Sequence, residues 1–268
     1  MTTSHLPSLG DREFRYLQKM MAEASGIRMS EGKRPLVAGR LMRRLRALGL
    51  RDYAQYLDLL RAPEQQVERR LVVDLLTTNE TYFFREPQHF RFLAQWLERR
   101  RGPLRCWSAA CSSGEEPYSL AMVLAEHASS DWSILASDLS QSVLHKAREA
   151  VYPMTDTDAF PPGWLKRHCL RGVGAQDGNF RISQALRERV SFREINLMRP
   201  LPQDIEPMDL ILLRNVLIYF TADDKRAITA RLLQHLRPGG LLLIGHAESV
   251  HGFGLPLRGL APSVFERL

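Results

Sequence analysis

"LRCWSAACSSGEEPYSLAMVLAEHA", Leu104 to Ala128, decides the fold. It opens with a short apolar run, passes through a turn of small residues and continues in a helical repeat. The run is strand-length and lacks a polar face, as expected of a strand covered on both sides. Strand, tight loop and helix in that order start an α/β unit.

The same alternation continues downstream. "WSILASD" (132–138) is strand-like and "LSQSVLHKAREAV" (139–151) helical. "RVSFREIN" (189–196) and "DLILLRNV" (209–216) are strand-like, and "DDKRAITARLLQHL" (223–236) is helical. "RPGG" (237–240) reads as a turn before the strand-like "LLLIGHA" (241–247), and the chain ends in "SVFERL". This pattern predicts an α/β fold, a mostly parallel sheet with helices on both faces. Between Pro153 and Arg189 it breaks into prolines, glycines and short extended pieces, which predicts a small antiparallel β insertion at about 160–188.

Residues 11 to 76 differ. "DREFRYLQKMMAEASG" (11–26) places Phe14, Leu17, Met20 and Met21 at helical spacing, with Gly26 as a stop. "PLVAGRLMRRLRALGL" (35–50) carries an apolar stripe of Val37, Leu41, Leu45 and Leu48. Arg40, Arg43 and Arg44 fall on another face of that helix. "RDYAQYLDLL" and "EQQVERRLVVDLL" add two amphipathic helices. An all-helical N-terminal domain over 1–78 and a second domain over 79–268 are expected.

Composition sets outer limits. Of 268 residues, 44% are hydrophobic, enough for a sizeable core, and the net charge is +7. A basic balance admits nucleic acid, an anionic membrane or an acidic protein partner without choosing among them. Cys106, Cys111 and Cys169 lack C-x-x-C spacing, and their odd number fits a reducing compartment. "MTTSHLPSLGDREF" has no basic-then-apolar leader pattern, and no apolar run nears the roughly 20 residues that span a bilayer. A soluble cytoplasmic protein with no direct membrane insertion is expected.

Ligands of open α/β sheets sit beyond the carboxyl ends of the strands. After the first strand comes "CSSGEEPYS", whose small residues admit a ligand close to the backbone. Glu115 and Glu116 would repel phosphate and suit a cation or sugar hydroxyls. Neither G-x-G-x-x-G nor a P-loop is present. Asp138 follows the second strand, where an acid serves ribose hydroxyls or a helix N-cap. Asn196 follows the third, and Arg214 and Asn215 the fourth, with Tyr219 a helical turn on. A ligand with a ribose, a base and positive charge but no phosphate satisfies these groups. S-adenosylmethionine is such a ligand.

With "RLMRRLRALGL", "LTTNETYFFRE", "WSAACSSGEEPYSLAMVL", "ASDLS", "INLMRP", "RNVLIYF" and "LRPGGLLLIGHAES" in this order over 36–249, the chain resembles the CheR chemotaxis receptor methyltransferases. The resemblance implies a helical domain joined to a class I methyltransferase domain. It implies transfer of methyl from S-adenosylmethionine to receptor glutamates, giving glutamate methyl esters and S-adenosylhomocysteine, for sensory adaptation. It assigns Asn79, Thr81, Arg85, Glu116, Asp138, Asn196, Leu197, Arg214 and Asn215 to the cofactor pocket. Arg85 and Tyr219 fall near the reaction centre, and the junction around "TTNETYFFRE" becomes a wall of the site, packed by Phe83 and Phe84. A glutamate is already ionised at neutral pH, with a pKa near ~4.3, so no general base is required. Orientation supplies most of the catalysis.

Partners follow from the same resemblance. Arg40, Arg43, Arg44 and Arg46 lie in a basic run from Arg28 to Arg51 whose one acid is Glu31. They are expected to meet the acidic cytoplasmic helical bundle of a chemoreceptor, though a charge run is more often a solvated face. Arg171, Gly172, Gly174 and Gly178 resemble a loop that docks a receptor's C-terminal pentapeptide by strand addition; a plain glycine turn is the blander reading. A monomer is expected, with no nucleic-acid partner. The slot after the fourth strand is "RNVLIY", without the Pro-Pro of amino-methylating enzymes, and no cysteine lies there for C5 chemistry. A non-catalytic adaptor would have no use for the pocket residues. No metal is expected, His89 and His246 being assigned structural roles, and Cys111 that of a small residue in the loop.

Overall fold

The computed structural model describes residues 7–268, so the leader reading of the first six residues lies outside it. The chain divides into two compact units, Met1–Thr78 and Asn79–Leu268.

The first unit is helical: α1 (Asp11–Ser25), α2 (Arg34–Ala47), α3 (Tyr53–Arg61) and α4 (Gln66–Leu76). Phe14, Leu17, Met21, Val37, Leu41, Leu45, Tyr56, Leu60 and Val72 are buried. Leu48 does not complete its expected stripe and is 37% exposed, because α2 stops at Ala47. Gly26 ends α1 in the left-handed conformation, and the Asp52 carboxylate caps α3 by accepting from the Gln55 N–H.

The second unit opens with α5 (Pro87–Glu98) and then alternates β1 (Leu104–Ala109), α6 (Glu115–His127), β2 (Trp132–Asp138) and α7 (Gln141–Glu149). An insertion carries β3 (Val151–Pro153), α8 (Trp164–His168), β4 (Cys169–Arg171), β5 (Asn179–Ile182) and α9 (Gln184–Arg187). Then come β6 (Val190–Glu194), β7 (Met208–Leu213), α10 (Ala222–Gln234), β8 (Leu236–Ile244), β9 (Leu257–Ala261) and β10 (Val264–Arg267). The main sheet has the order β6-β2-β1-β7-β8-β10-β9. The first five of these strands are parallel, and β10 runs antiparallel to both β8 and β9.

Strand alternation builds a core on each face. Cys106, Leu210, Leu212, Leu241 and Leu243 join Phe90, Leu93 and Leu120 of α5 and α6 on one side. Trp107, Ile211, Leu213, Leu242 and Ile244 join Ile228 and Leu232 of α10 on the other.

Two expectations need correction, and one element was not foreseen. "RPGG" lies inside β8, whose pairing with β7 slips near Met208, with Gly239 at φ 73°. The segment from Leu257 on forms a β-hairpin whose outer strand, Leu257–Ala261, is short and largely exposed. The insertion's antiparallel sheet, ordered β3-β5-β4, begins at Val151 rather than near 160, since β5 draws β3 from the tail of α7 into pairing. Among the described residues no helix is long and apolar enough to cross a membrane, and the three cysteines are free.

Candidate active site

Strand order reverses at β1, which has β2 on one side and the much later β7 on the other. A crevice forms where connections leave in opposite directions. The backbone there is unusual. Phe84, Glu86, Ala110, Ser112 and Asn215 all have φ between 49° and 75°. Each such non-glycine residue costs roughly 1–3 kcal/mol and persists only where its surroundings over-determine it.

Those surroundings are hydrogen bonds to the segment Asn79–Glu86. Ser112 Oγ donates to the Asn79 carbonyl (2.9 Å), and the Phe84 N–H donates to Ser119 Oγ of α6 (2.9 Å). Phe83 is fully buried against Tyr152, Phe160 and Phe180, and Phe84 against Phe90 and Trp164. These rings fasten the turn to the domain while Glu86 and the Arg85 carbonyl meet Arg214 at the end of β7.

Arg214, at the end of β7, lies at the centre with its side chain 1% exposed. Its Nη1 donates to Glu116 Oε2 (2.9 Å), and its Nη2 to Glu86 Oε2 (3.1 Å) and to the Arg85 carbonyl. Ser108 Oγ of β1 donates to the other Glu116 oxygen (2.7 Å). Asn215 Nδ2 and the His246 N–H both donate to Glu86 Oε1, at 3.0 and 3.1 Å. Burial pushes the Glu116 carboxyl up despite Arg214 and Ser108. Burial also opposes ionisation of Glu86, but donors from Asn215, His246 and Arg214 outweigh it and hold Glu86 below the usual carboxylate range.

A third carboxylate holds the backbone that follows Arg214. Glu248 Oε2 accepts from the Asn215 N–H (2.9 Å) and the Gly245 N–H (2.6 Å), and Oε1 accepts from the Ile218 N–H (3.3 Å). A side chain at Gly245 would sit 2.6 Å from Asn215 Nδ2, so only glycine permits this approach.

The other expected residues fall around this centre. Asp138 at the end of β2 is buried; its two oxygens accept from the Ser112 and Ser140 N–H groups, at 2.9 and 3.0 Å. The N-cap of α7 is Ser140, so Asp138 is not serving that role. Asn196 Oδ1 accepts from the Met198 N–H (2.9 Å), and the carbonyl of buried Leu197 accepts from Arg231 (2.6 Å). Thr81 is half-buried. Arg85 lies over the Tyr82 ring, its Nη1 donating to the Glu80 carbonyl (2.8 Å). Half-buried Tyr219 closes the short turn Leu217–Tyr219.

Sequence reading passed over Glu86 and Glu248. Both sit in the quoted motifs, but each takes donors from Asn215, 129 residues away for Glu86 and 33 for Glu248. Nothing local marks them: Glu86 follows Arg85 directly, and Glu248 lies between Ala247 and Ser249.

The profile of the CheR methyltransferase SAM-binding domain matches residues 79–257, and that of the CheR all-alpha domain matches residues 12–77. The chain belongs to the CheR methyltransferase family. It is 41% identical over 245 residues to the chemotaxis protein methyltransferase of Salmonella typhimurium, covering 90% of this chain and 85% of that one. It is 40% identical over 278 residues to chemotaxis protein methyltransferase 2 of Pseudomonas aeruginosa, covering 98% of both. The protein is an S-adenosylmethionine-dependent methyltransferase. The CheR site shows the matching chemistry: Glu86, Glu116 and Asp138 outnumber Arg214, which suits a cosubstrate carrying a sulfonium and an ammonium.

The residues assigned to partners divide differently from expectation. Arg40 and Arg44 are half-buried and engaged within the helical unit. Arg40 Nη1 donates to the Leu75, Leu76 and Thr77 carbonyls at the end of α4, and Arg44 forms a two-pronged pair with Glu68 (3.0 and 2.6 Å). Arg43 and Arg46 point to solvent. In the insertion, a side chain at Gly172 would collide with the Gln176 carbonyl, and Gly174 and Gly178 have positive φ. Arg171 is exposed on β4, whose outer edge pairs with no strand among the described residues.

Proposed function

We propose that the protein esterifies glutamate side chains on the cytoplasmic helices of a chemoreceptor. The carrying observation is the closed Glu86–Arg214–Glu116 arrangement beside Asn215. It builds a charged, ordered wall at the switch point, in which both carboxylates are already held by Arg214, Ser108 and Asn215. A carboxylate substrate needs no general base, because it arrives ionised. S-adenosylmethionine, when bound, supplies the methyl on its sulfonium, and S-adenosylhomocysteine leaves. The chain's own residues have to orient, exclude water and hold charge.

Asn79, Thr81, Glu116, Asp138, Asn196, Leu197, Arg214 and Asn215 are assigned to the cofactor pocket. Asp138 shapes it by fixing the Ser112 backbone. Arg85 is assigned to the incoming carboxylate, since a guanidinium matches that geometry in two-pronged fashion. Tyr219 is assigned a hydrogen bond near the reaction centre. Arg85→Ala should abolish turnover; near-normal activity would remove Arg85 from the assignment.

Arg43 and Arg46, the solvent-facing pair, are proposed to meet the receptor. Arg171, Gly172, Gly174 and Gly178 are proposed to present β4 to a receptor's C-terminal peptide, supported by the open β4 edge. A monomeric, cytoplasmic enzyme completes the reading.

The deciding experiment is transfer of labelled methyl from S-adenosylmethionine to a receptor signalling fragment, followed by alkali release. Alkali-labile label on the receptor is expected. Tight cofactor binding with no label on any receptor would leave an adaptor in place of an enzyme.

A further inference from the structure

Glu86, His89 and His246 are brought together although the last lies far along the chain. Each offers a ligand atom, and the three atoms lie within 4.8 Å of one another. His89 stands one turn after Glu86 at the start of α5, its Nδ1 3.4 Å from Glu86 Oε2. His246 arrives on the loop after β8, with its ring centroid 4.7 Å from that of His89. That loop is already tied to the cluster by the bond from the His246 N–H to Glu86 Oε1.

Independently, His89 is 1% exposed and neither ring nitrogen has a hydrogen-bond partner among the described residues. A buried polar side chain in that state is costly and calls for an explanation, such as an ion. His246 is exposed, so an ion has a path from solvent and one ligand ring is free to turn.

We propose that Glu86, His89 and His246 form a binding site for one zinc ion. Two imidazole nitrogens and a carboxylate oxygen suit zinc, with a fourth position left for water. Carboxylates outnumber cations beside the cluster: Glu86 and Glu116 share one guanidinium, that of Arg214. Arg214 is also the competitor, because its Nη2 donates to the Glu86 oxygen nearest His89. Zinc on that oxygen loosens the grip of Glu86 on Arg214. Occupancy therefore opposes methyl transfer, a consequence that rests on the proposed function.

The test is calorimetric titration of the chelator-treated full chain with zinc chloride, beside His246→Ala and His89→Gln. His246→Ala removes an exposed ring, leaves the backbone bond to Glu86, and is expected to fold. One zinc per chain is expected in the wild type, weakened at least about tenfold in His246→Ala, a loss of ~1.4 kcal/mol or more. No saturable heat, or an isotherm unchanged in His246→Ala, overturns the site. Zinc should also slow methyl transfer in the wild type and spare His246→Ala relative to its own zinc-free rate. Binding without that slowing overturns the antagonism. A wild type inactive even without zinc would sink the functional reading, while the isotherm would still decide the metal site.

Discussion

Arg214 holds two carboxylates that burial alone would leave unpaired, and this makes it the most exposed point of failure. In Arg214→Met, Glu86 and Glu116 stay buried without their cation. Breaking a buried pair from one side costs roughly 3–5 kcal/mol, more than the pair is worth against an apolar replacement. The expected result is a large drop in the denaturant midpoint together with loss of cofactor binding. Adding Glu116→Gln should recover part of the stability and none of the binding; a near-wild-type midpoint in the single variant would refute the pairing. Glu248 tests a different quantity. Burial raises its carboxyl above the ordinary range, against the backbone donors of Gly245 and Asn215. In Glu248→Gln, whichever way the amide lies, an NH2 group faces a backbone N–H. One unmet buried bond, at about 1–3 kcal/mol, should appear in kcat as a loss of roughly tenfold or more through the displaced Asn215–Tyr219 turn. A kcat equal to wild type would show that the turn does not need this carboxylate.

At the scale of elements, the pairing of α2 with α4 shows how a face read as a surface can be structural. Glu68 is 7% exposed and receives Arg44 and the Tyr56 hydroxyl (2.6 Å). Burial pushes its pKa up, but the bonds from Arg44 and Tyr56 win, and the folded value lies below the ordinary one. A depressed carboxyl contributes stability above its unfolded pKa and loses it as pH falls through the folded pKa. The helical unit should therefore weaken on acidification below about pH 4.5, and Glu68→Gln should flatten that dependence while lowering stability at neutral pH. Circular dichroism at stepped pH would show it, and an unchanged acid limb in Glu68→Gln would refute it. Spacing at i, i+3 and i+4 placed Arg40, Arg43 and Arg44 on one face, and spacing could not show that α4 takes Arg40 and Arg44. Of the parallel strands, β7 was the most legible because it is a nearly continuous apolar run, Met208–Leu213. The β9–β10 hairpin was not legible, because Leu257–Ala261 is short and largely exposed.

Across the whole molecule, legibility depended on whether a group's partners were near in sequence. Asp138, Asn196 and Arg214 could be singled out because strand ends are predictable places. Glu86, Glu248 and the His89–His246 approach were hidden because only the closed sheet brings them together. Net charge was the least decisive signal, since +7 fits several kinds of partner. The structure narrows it. Arg40 and Arg44 are consumed internally, so any electrostatic steering from α2 has to come from Arg43, Arg46 and their exposed neighbours. Reversing Arg43 and Arg46 to Glu should leave folding and cofactor affinity intact, because neither side chain is buried. It should raise KM for the receptor fragment by slowing encounter, with the gap from wild type closing as salt is raised past roughly 0.15 M, where the Debye length falls to about 8 Å. Kinetics at two ionic strengths separate this from a solvated face. An unchanged KM at low salt would mean that the run is solubility charge, and that receptor choice lies elsewhere on the molecule.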